Sequence, residues 1–227
     1  MLDRGLLIDF FKGKVTSLEE YLVIQKIKDW EITDDGCVII RSNAKFIGVR
    51  DKLPITIIEM HGDLDLSNNL ITDVSNLPEV KGNLNLSFNS IKDLSNMPNV
   101  QGDLDLSRNS IIDLKGVNCS GGIKLNNNAR LVSLEGLPEV IGGDVVTNYC
   151  SLTSLNFGRE TIINGDLTCG FNRITSLITN HQLTVQGNLS LSNNLIRNTD
   201  YNVKYKTIDL SGNPCKASDE WETDCVW

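Results

Sequence analysis

The 227-residue chain is poor in the residues that most enzyme sites are built from. It has two histidines, His61 and His181, three methionines and 6% aromatic residues. The histidines stand 120 positions apart and neither has an obvious nucleophile neighbour, which disfavours a histidine triad or a histidine-rich metal site. None of the six cysteines belongs to a C-x-x-C pair, so zinc and dithiol redox chemistry are not expected, and no motif calls for a cofactor. No apolar run approaches the roughly 18 residues of a membrane span. The start, Met1-Leu2-Asp3-Arg4-Gly5-Leu6-Leu7-Ile8-Asp9, sets acids on both sides of a three-residue apolar stretch, unlike a secretory leader. Positive charge is also scarce. Lys plus Arg at 21 against Asp plus Glu at 29 gives a net charge of −8, which opposes binding to nucleic acid or a membrane surface. These absences predict a cytoplasmic chain with reduced thiols.

What is present is a repeat. GDLDLSNNLITDVSNLPEVK from Gly62 is followed by GNLNLSFNSIKDLSNMPNVQ from Gly82 and GDLDLSRNSIIDLKGVNCS from Gly102. Weaker copies start at Gly121, Gly143, Gly165 and Gly187, and a truncated one at Thr207, so successive glycines are 20, 20, 19, 22, 22 and 22 residues apart. A fixed period in this range is the mark of a solenoid.

Its columns say why. Leu64, Leu84, Leu104, Ile123, Val145, Leu167, Leu189 and Ile208 form one apolar column. Leu66, Leu86, Leu106, Leu125, Thr147, Cys169, Leu191 and Leu210 form another two residues on. Period two predicts a short strand, and stacking such strands about 4.8 Å apart builds a parallel sheet with a continuous core. Asn69, Asn89, Asn109, Asn128, Asn172, Asn194 and Asn213 follow the strands, with Cys150 at the matching place in the fifth repeat. A buried amide there would bond the backbone groups that an inward turn leaves over. Leu77-Pro78, Met97-Pro98 and Leu137-Pro138 favour extended or turn geometry on the return path, hence turns or short 3₁₀ segments on the outer side. Thr147 and Cys169 make the register of the middle repeats weaker than that of the first three.

Three segments are expected: an N-terminal cap over 1–61, a solenoid of seven to eight coils over 62–214, and a C-terminal cap over 215–227. Ser17-Leu18-Glu19-Glu20 is a capping-box signature for a helix running towards Trp30. At the other end Ser218 is a candidate helix N-cap, and Trp221 and Trp227 are candidates to cover the last coil.

The unit G-x-L-x-L-x-x-N resembles the L-x-L-x-x-N core of leucine-rich repeats over about residues 62–214. A narrower resemblance lies in Lys26-Ile27-Lys28-Asp29-Trp30 and Ile32-Thr33-Asp34-Asp35-Gly36 followed by GDLDLSNNLITDV-type repeats, which is similar to small intracellular repeat proteins of bacteria and large tailed phages. The first resemblance implies a curved scaffold, with its parallel sheet on the concave side, that binds a protein partner without catalysis. The second implies, by analogy, sequestration or inhibition of a host or defence protein.

Two candidate binding features follow. Outward strand positions carry Asp63, Asp65, Asp103, Asp105, Asp144, Asp166 and Asp209, an acidic strip complementary to a basic partner or else a solubilising face. The position before the ladder asparagine reads Asn68, Phe88, Arg108, Asn127, Tyr149, Phe171, Asn193 and Gly212. Phe88, Arg108, Tyr149 and Phe171 are of the types enriched at binding hot spots; the alternative is that the rings fold onto the turn and cover it. A calcium site between coils is disfavoured by the alternation of Asp with Asn83, Asn85 and Gly122. Thr223-Asp224-Cys225 evokes the cysteine motif of repeat-linked ubiquitin ligases, whose large helical domain has no counterpart in residues 215–227. Rival readings are a homodimer that pairs its own repeat faces, and an enzyme with its site in residues 1–61.

Overall fold

Each G-x-L-x-L unit runs extended in the computed structural model, which describes residues 17–215. The strands Leu64–Asp65, Leu84–Asn85, Leu104–Asp105, Ile123–Lys124, Val145–Val146, Leu167–Thr168, Asn188–Ser190 and Thr207–Asp209 lie side by side in parallel. A ninth, Ala44–Lys45, pairs with Leu64–Asp65 and extends this sheet into the segment read as N-terminal cap. Leu64 stands opposite Leu84, and Leu84 opposite Leu104, so like packs on like down the axis. Leu64, Leu84, Leu104, Ile123, Val145, Leu167 and Leu189 are all buried, as are Leu66, Leu86, Leu106, Leu125, Thr147, Cys169 and Leu191. The middle repeats keep register: Val145 pairs with Leu167 and Val146 with Thr168. The result is a parallel β-solenoid of about nine turns.

The return path holds the expected turn in four coils, at Ser75–Asn76, Ser95–Asn96, Lys115–Gly116 and Glu135–Gly136, and after it the chain runs extended, which was not expected. Single parallel bridges join Met60 to Val80, Val80 to Val100 and Val100 to Cys119. They lead towards a four-stranded parallel sheet of Val140–Ile141, Thr161–Ile163, Leu183–Val185 and Val203–Lys204. No 3₁₀ helix occurs among the described residues. The β-branched residues at these positions prefer extended backbone, and stacking in register satisfies their amides. Between the return path and the main sheet the chain turns a corner at a glycine. A Cβ at Gly82 would fall 2.7 Å from the Gly62 carbonyl carbon and oxygen, so the close stacking of coils excludes any side chain there.

The N-terminal end is closed by α1 (Leu18–Ile24), whose N-cap Ser17 accepts a hydrogen bond from Glu20 N–H at 3.2 Å. The helix stops well short of Trp30 because Lys26 turns left-handed at φ 58°, with its N–H bonded to Val23 O and that of Ile27 to Leu22 O, and Gln25 at the end reaches the first coil. Its buried amide donates to the Ile47 carbonyl at 3.1 Å and accepts from the Ile47 N–H at 2.9 Å, satisfying the first coil beyond its strand. Trp30–Ile32 and Val38–Ile40 then form an antiparallel pair, and Val38–Ile40 continues in parallel onto Ile57–Met60. Tyr21 and Phe46, both fully buried, stack with centroids 6.0 Å apart and join helix to first coil. Ser218, Trp221, Trp227 and the possible Cys215–Cys225 pair lie wholly or partly outside the described residues.

Candidate partner-binding face

The turn after each strand is built by two residues. The asparagine ladder supplies hydrogen bonds: the Asn109 amide donates to the carbonyls of Leu86 at 2.9 Å and Leu106 at 3.0 Å, and its oxygen accepts from Ile91 N–H at 3.0 Å. Asn69, Asn89, Asn172 and Asn194 repeat this three-bond arrangement. In the coil of Cys150 the thiol replaces only part of it, donating to Leu125 O at 3.2 Å, and Leu131 N–H bonds Asn128 O within its own turn instead.

The residue before the ladder position supplies geometry. Asn68, Phe88, Arg108, Asn127, Tyr149, Phe171 and Asn193 all have φ between 55° and 60°, and Gly48 and Gly212 have 74° and 72°. Left-handed backbone suits Gly and Asn and costs other residues about 1–2 kcal/mol. Five coils obey that preference. The other four carry Phe88, Arg108, Tyr149 and Phe171, and the three rings are 46–52% exposed. Their side chains lie against one another in two pairs. Tyr149 and Phe171 stack at 4.4 Å with planes within 10°, and the Arg108 guanidinium carbon lies 4.8 Å from the Phe88 ring centre. Asn127 separates the two pairs.

The acidic strip has a structural role that the sequence did not reveal. Asn43 Oδ1 accepts from Asp63 N–H (2.9 Å), Asp63 Oδ1 from Asn83 N–H (2.8 Å), Asn83 Oδ1 from Asp103 N–H (2.7 Å) and Asp103 Oδ1 from Gly122 N–H (2.7 Å). One oxygen per residue thus ties each coil to the next, which is why Asp and Asn alternate freely. Two residues on, Asp65 and Asp105 each accept from the N–H of Ser67 and Ser107 at 2.9 Å. Lys45, contributed by the extra coil, meets Asp65 Oδ2 at 2.6 Å. Burial disfavours the Asp65 carboxylate, but the bonds from Lys45 and Ser67 outweigh it and hold its pKa below the usual aspartate range. Asp103 and Asp105 keep their second oxygens without a partner among the described residues.

Elsewhere the chemistry is sparse. His61 meets Glu59 at 2.7 Å on the exposed surface. Burial pushes the Cys119 thiol up to about 11 and the Cys169 thiol to about 12, and raises Cys150, so little of the nucleophilic thiolate exists at neutral pH. Among the described residues no group of three or more His, Cys, Asp or Glu side chains is placed to hold a metal ion, and no helix is long and apolar enough to cross a membrane. Fold and face together define a repeat protein of the parallel β-solenoid class. Comparison with protein-family models, curated proteins and solved structures finds no match to this chain.

Proposed function

We propose that this chain is a leucine-rich-repeat type module that binds a protein partner through the face of its nine-stranded sheet, without catalysis, and acts by occupying or sequestering a partner surface. The observation that carries the reading is the occupancy of the left-handed column. Phe88, Arg108, Tyr149 and Phe171 stand where Gly or Asn would be easier for the backbone, and their side chains are stacked in line, the three rings half-exposed. Local folding does not ask for these residues, and strained positions of this kind cluster at functional sites. Rigid aromatic and Arg side chains are the usual hot-spot anchors. Beside them, carboxylates with one uncommitted oxygen suit a basic partner surface. By analogy with the motif resemblance drawn from the sequence alone, that partner is a host or defence protein in the cytoplasm.

A pull-down from the source or host cell with the wild-type chain and with the triple variant Phe88→Asn, Tyr149→Asn, Phe171→Asn tests this. A protein retained by the first and lost by the folded second supports the reading. Equal retention by both sinks it. Light scattering on the purified chain separates a monomeric binder from a dimer that pairs its own faces.

A further inference from the structure

Two ladders on this face are each interrupted once, and both gaps fall on the same coil. The side-chain rungs that run from Asn43 through Asp103 resume at Asp144, whose Oδ1 accepts from Asp166 N–H at 2.8 Å. Between them stands Gly122, which has no side chain to offer. Asp144 N–H therefore finds no acceptor among the described residues, whereas its counterparts at Asp63, Asn83, Asp103, Gly122, Asp166 and Asn188 each bond the side chain of the preceding coil. The missing side chain opens a notch of about 260 Å³ lined by Asp103, Gly122, Ile123, Lys124, Gly143 and Asp144. Five residues along the same coil is Asn127, the short residue that splits the stacked line into Phe88–Arg108 and Tyr149–Phe171. Neighbouring coils are about 4.8 Å apart, so Arg108 and Tyr149 flank a slot about 9.6 Å wide between centres, room for one planar group at ordinary stacking distance from each.

We infer that the coil of Gly122 and Asn127 carries a trough that seats an extended segment of the partner protein, laid along the strand direction; this rests on the protein-binding reading above. A carbonyl of the segment accepts from Asp144 N–H and completes the missing rung. A planar side chain, aromatic or Arg, enters the slot over Asn127 and completes the stack. The walls are acidic, since Asp103, Asp105 and Asp144 each hold one oxygen without a partner among the described residues, and they take Lys or Arg side chains. Lys124, an exposed residue lining the notch with no ion pair among the described residues, reaches the segment's carbonyls. The distance from Gly122 to Asn127 accommodates about five extended residues.

The test pans a random 12-residue peptide display library against the full chain and measures the enriched peptides on two filled variants. Gly122→Asn supplies the rung from within, although its Cβ comes 3.0 Å from Asp144 O and the neighbour must give slightly. Asn127→Phe fills the slot with a residue the column already holds at Phe88 and Phe171, and serves alone if Gly122→Asn does not fold. The expected result is enrichment of peptides that combine an aromatic or Arg with further Lys or Arg, with affinity reduced at least about tenfold by each folded variant. Peptides that bind the filled variants undiminished but fail on Tyr149→Asn overturn the trough while leaving the ring face standing. Failure to enrich any peptide, enrichment of acidic ones, or binding unaffected by all three changes also overturns it, and the pull-down then judges the wider reading separately.

Discussion

The ring of Tyr149 lies flat on that of Phe171, 4.4 Å between centres and 10° between planes, although each residue holds a left-handed φ, 57° and 55°, that its own type disfavours. The stack follows from the period of the fold: coils about 4.8 Å apart place equivalent side chains at stacking distance whenever both are planar. One aromatic in this column would be an isolated exposed ring. Two on adjacent coils make a rigid ridge.

Replacements at Phe88 separate the backbone's preference from the side chain's. Phe88→Asn and Phe88→Gly remove the ring and relax the φ of 57°, whereas Phe88→Ala removes the ring and keeps the strain. Chemical denaturation should rank Asn and Gly above Ala by about 1 kcal/mol. Equal midpoints for all three would show that this position carries no backbone strain.

The asparagine ladder should respond in the opposite sense. Asn109→Ala leaves the N–H of Ile91 without its acceptor, while the carbonyls of Leu86 and Leu106 keep only the amides of Asn89 and Asn128, and it should cost about 1–3 kcal/mol. An unchanged midpoint would show that the ladder contributes nothing to stability.

For the aspartates, charge and hydrogen bonding come apart in one experiment. Asp63→Asn and Asp103→Asn keep the acceptor that bonds the next coil, as Asn43 and Asn83 already do, and should leave stability nearly unchanged, while the alanine variants lose about 0.5–1.5 kcal/mol. The fourfold change of Asp63, Asp65, Asp103 and Asp105 to Asn then removes charge from an intact face. Stopped-flow association with the protein recovered in the pull-down should slow, and the remaining rate should lose most of its salt dependence. A rate indifferent to both would leave the strip with its structural role alone.

Acid should destabilise the fold by a definite route. The pKa of Asp65 is held low despite burial by Lys45 and Ser67, that of Asp73 by the N–H and hydroxyl of Ser75, and those of Asp93 and Asp209 likewise by Ser95 and Ser211. A carboxyl with a depressed folded pKa stabilises above its unfolded value, about 3.9, and that contribution disappears as pH falls through the folded value. The thermal midpoint should therefore stay level from about pH 7 to about 5 and fall below about pH 4. A midpoint that rises on acidification would contradict this linkage.

The period, the buried columns and the asparagine ladder can be read from the chain alone because each repeats a local requirement: alternation makes a strand, and a tight turn needs an amide partner. The line of Phe88, Arg108, Tyr149 and Phe171 was visible for the same reason, since equal offsets in a repeat become neighbours in space. Other features depended on contacts between coils and had no local signature. Ala44–Lys45 joins the main sheet although Ser42, Ala44 and Val49 replace the usual Gly, Leu and Asn, because pairing with Leu64–Asp65 needs backbone and not side-chain identity. The strands outside the main sheet arise from stacking β-branched residues across coils, which no single repeat displays. The division of Asp103 and Asp144 into one oxygen bound to the next coil and one left over, like the unanswered N–H of Asp144 beside Gly122, exists only once successive coils lie on one another, because both partners of each bond come from different turns about 20 residues apart.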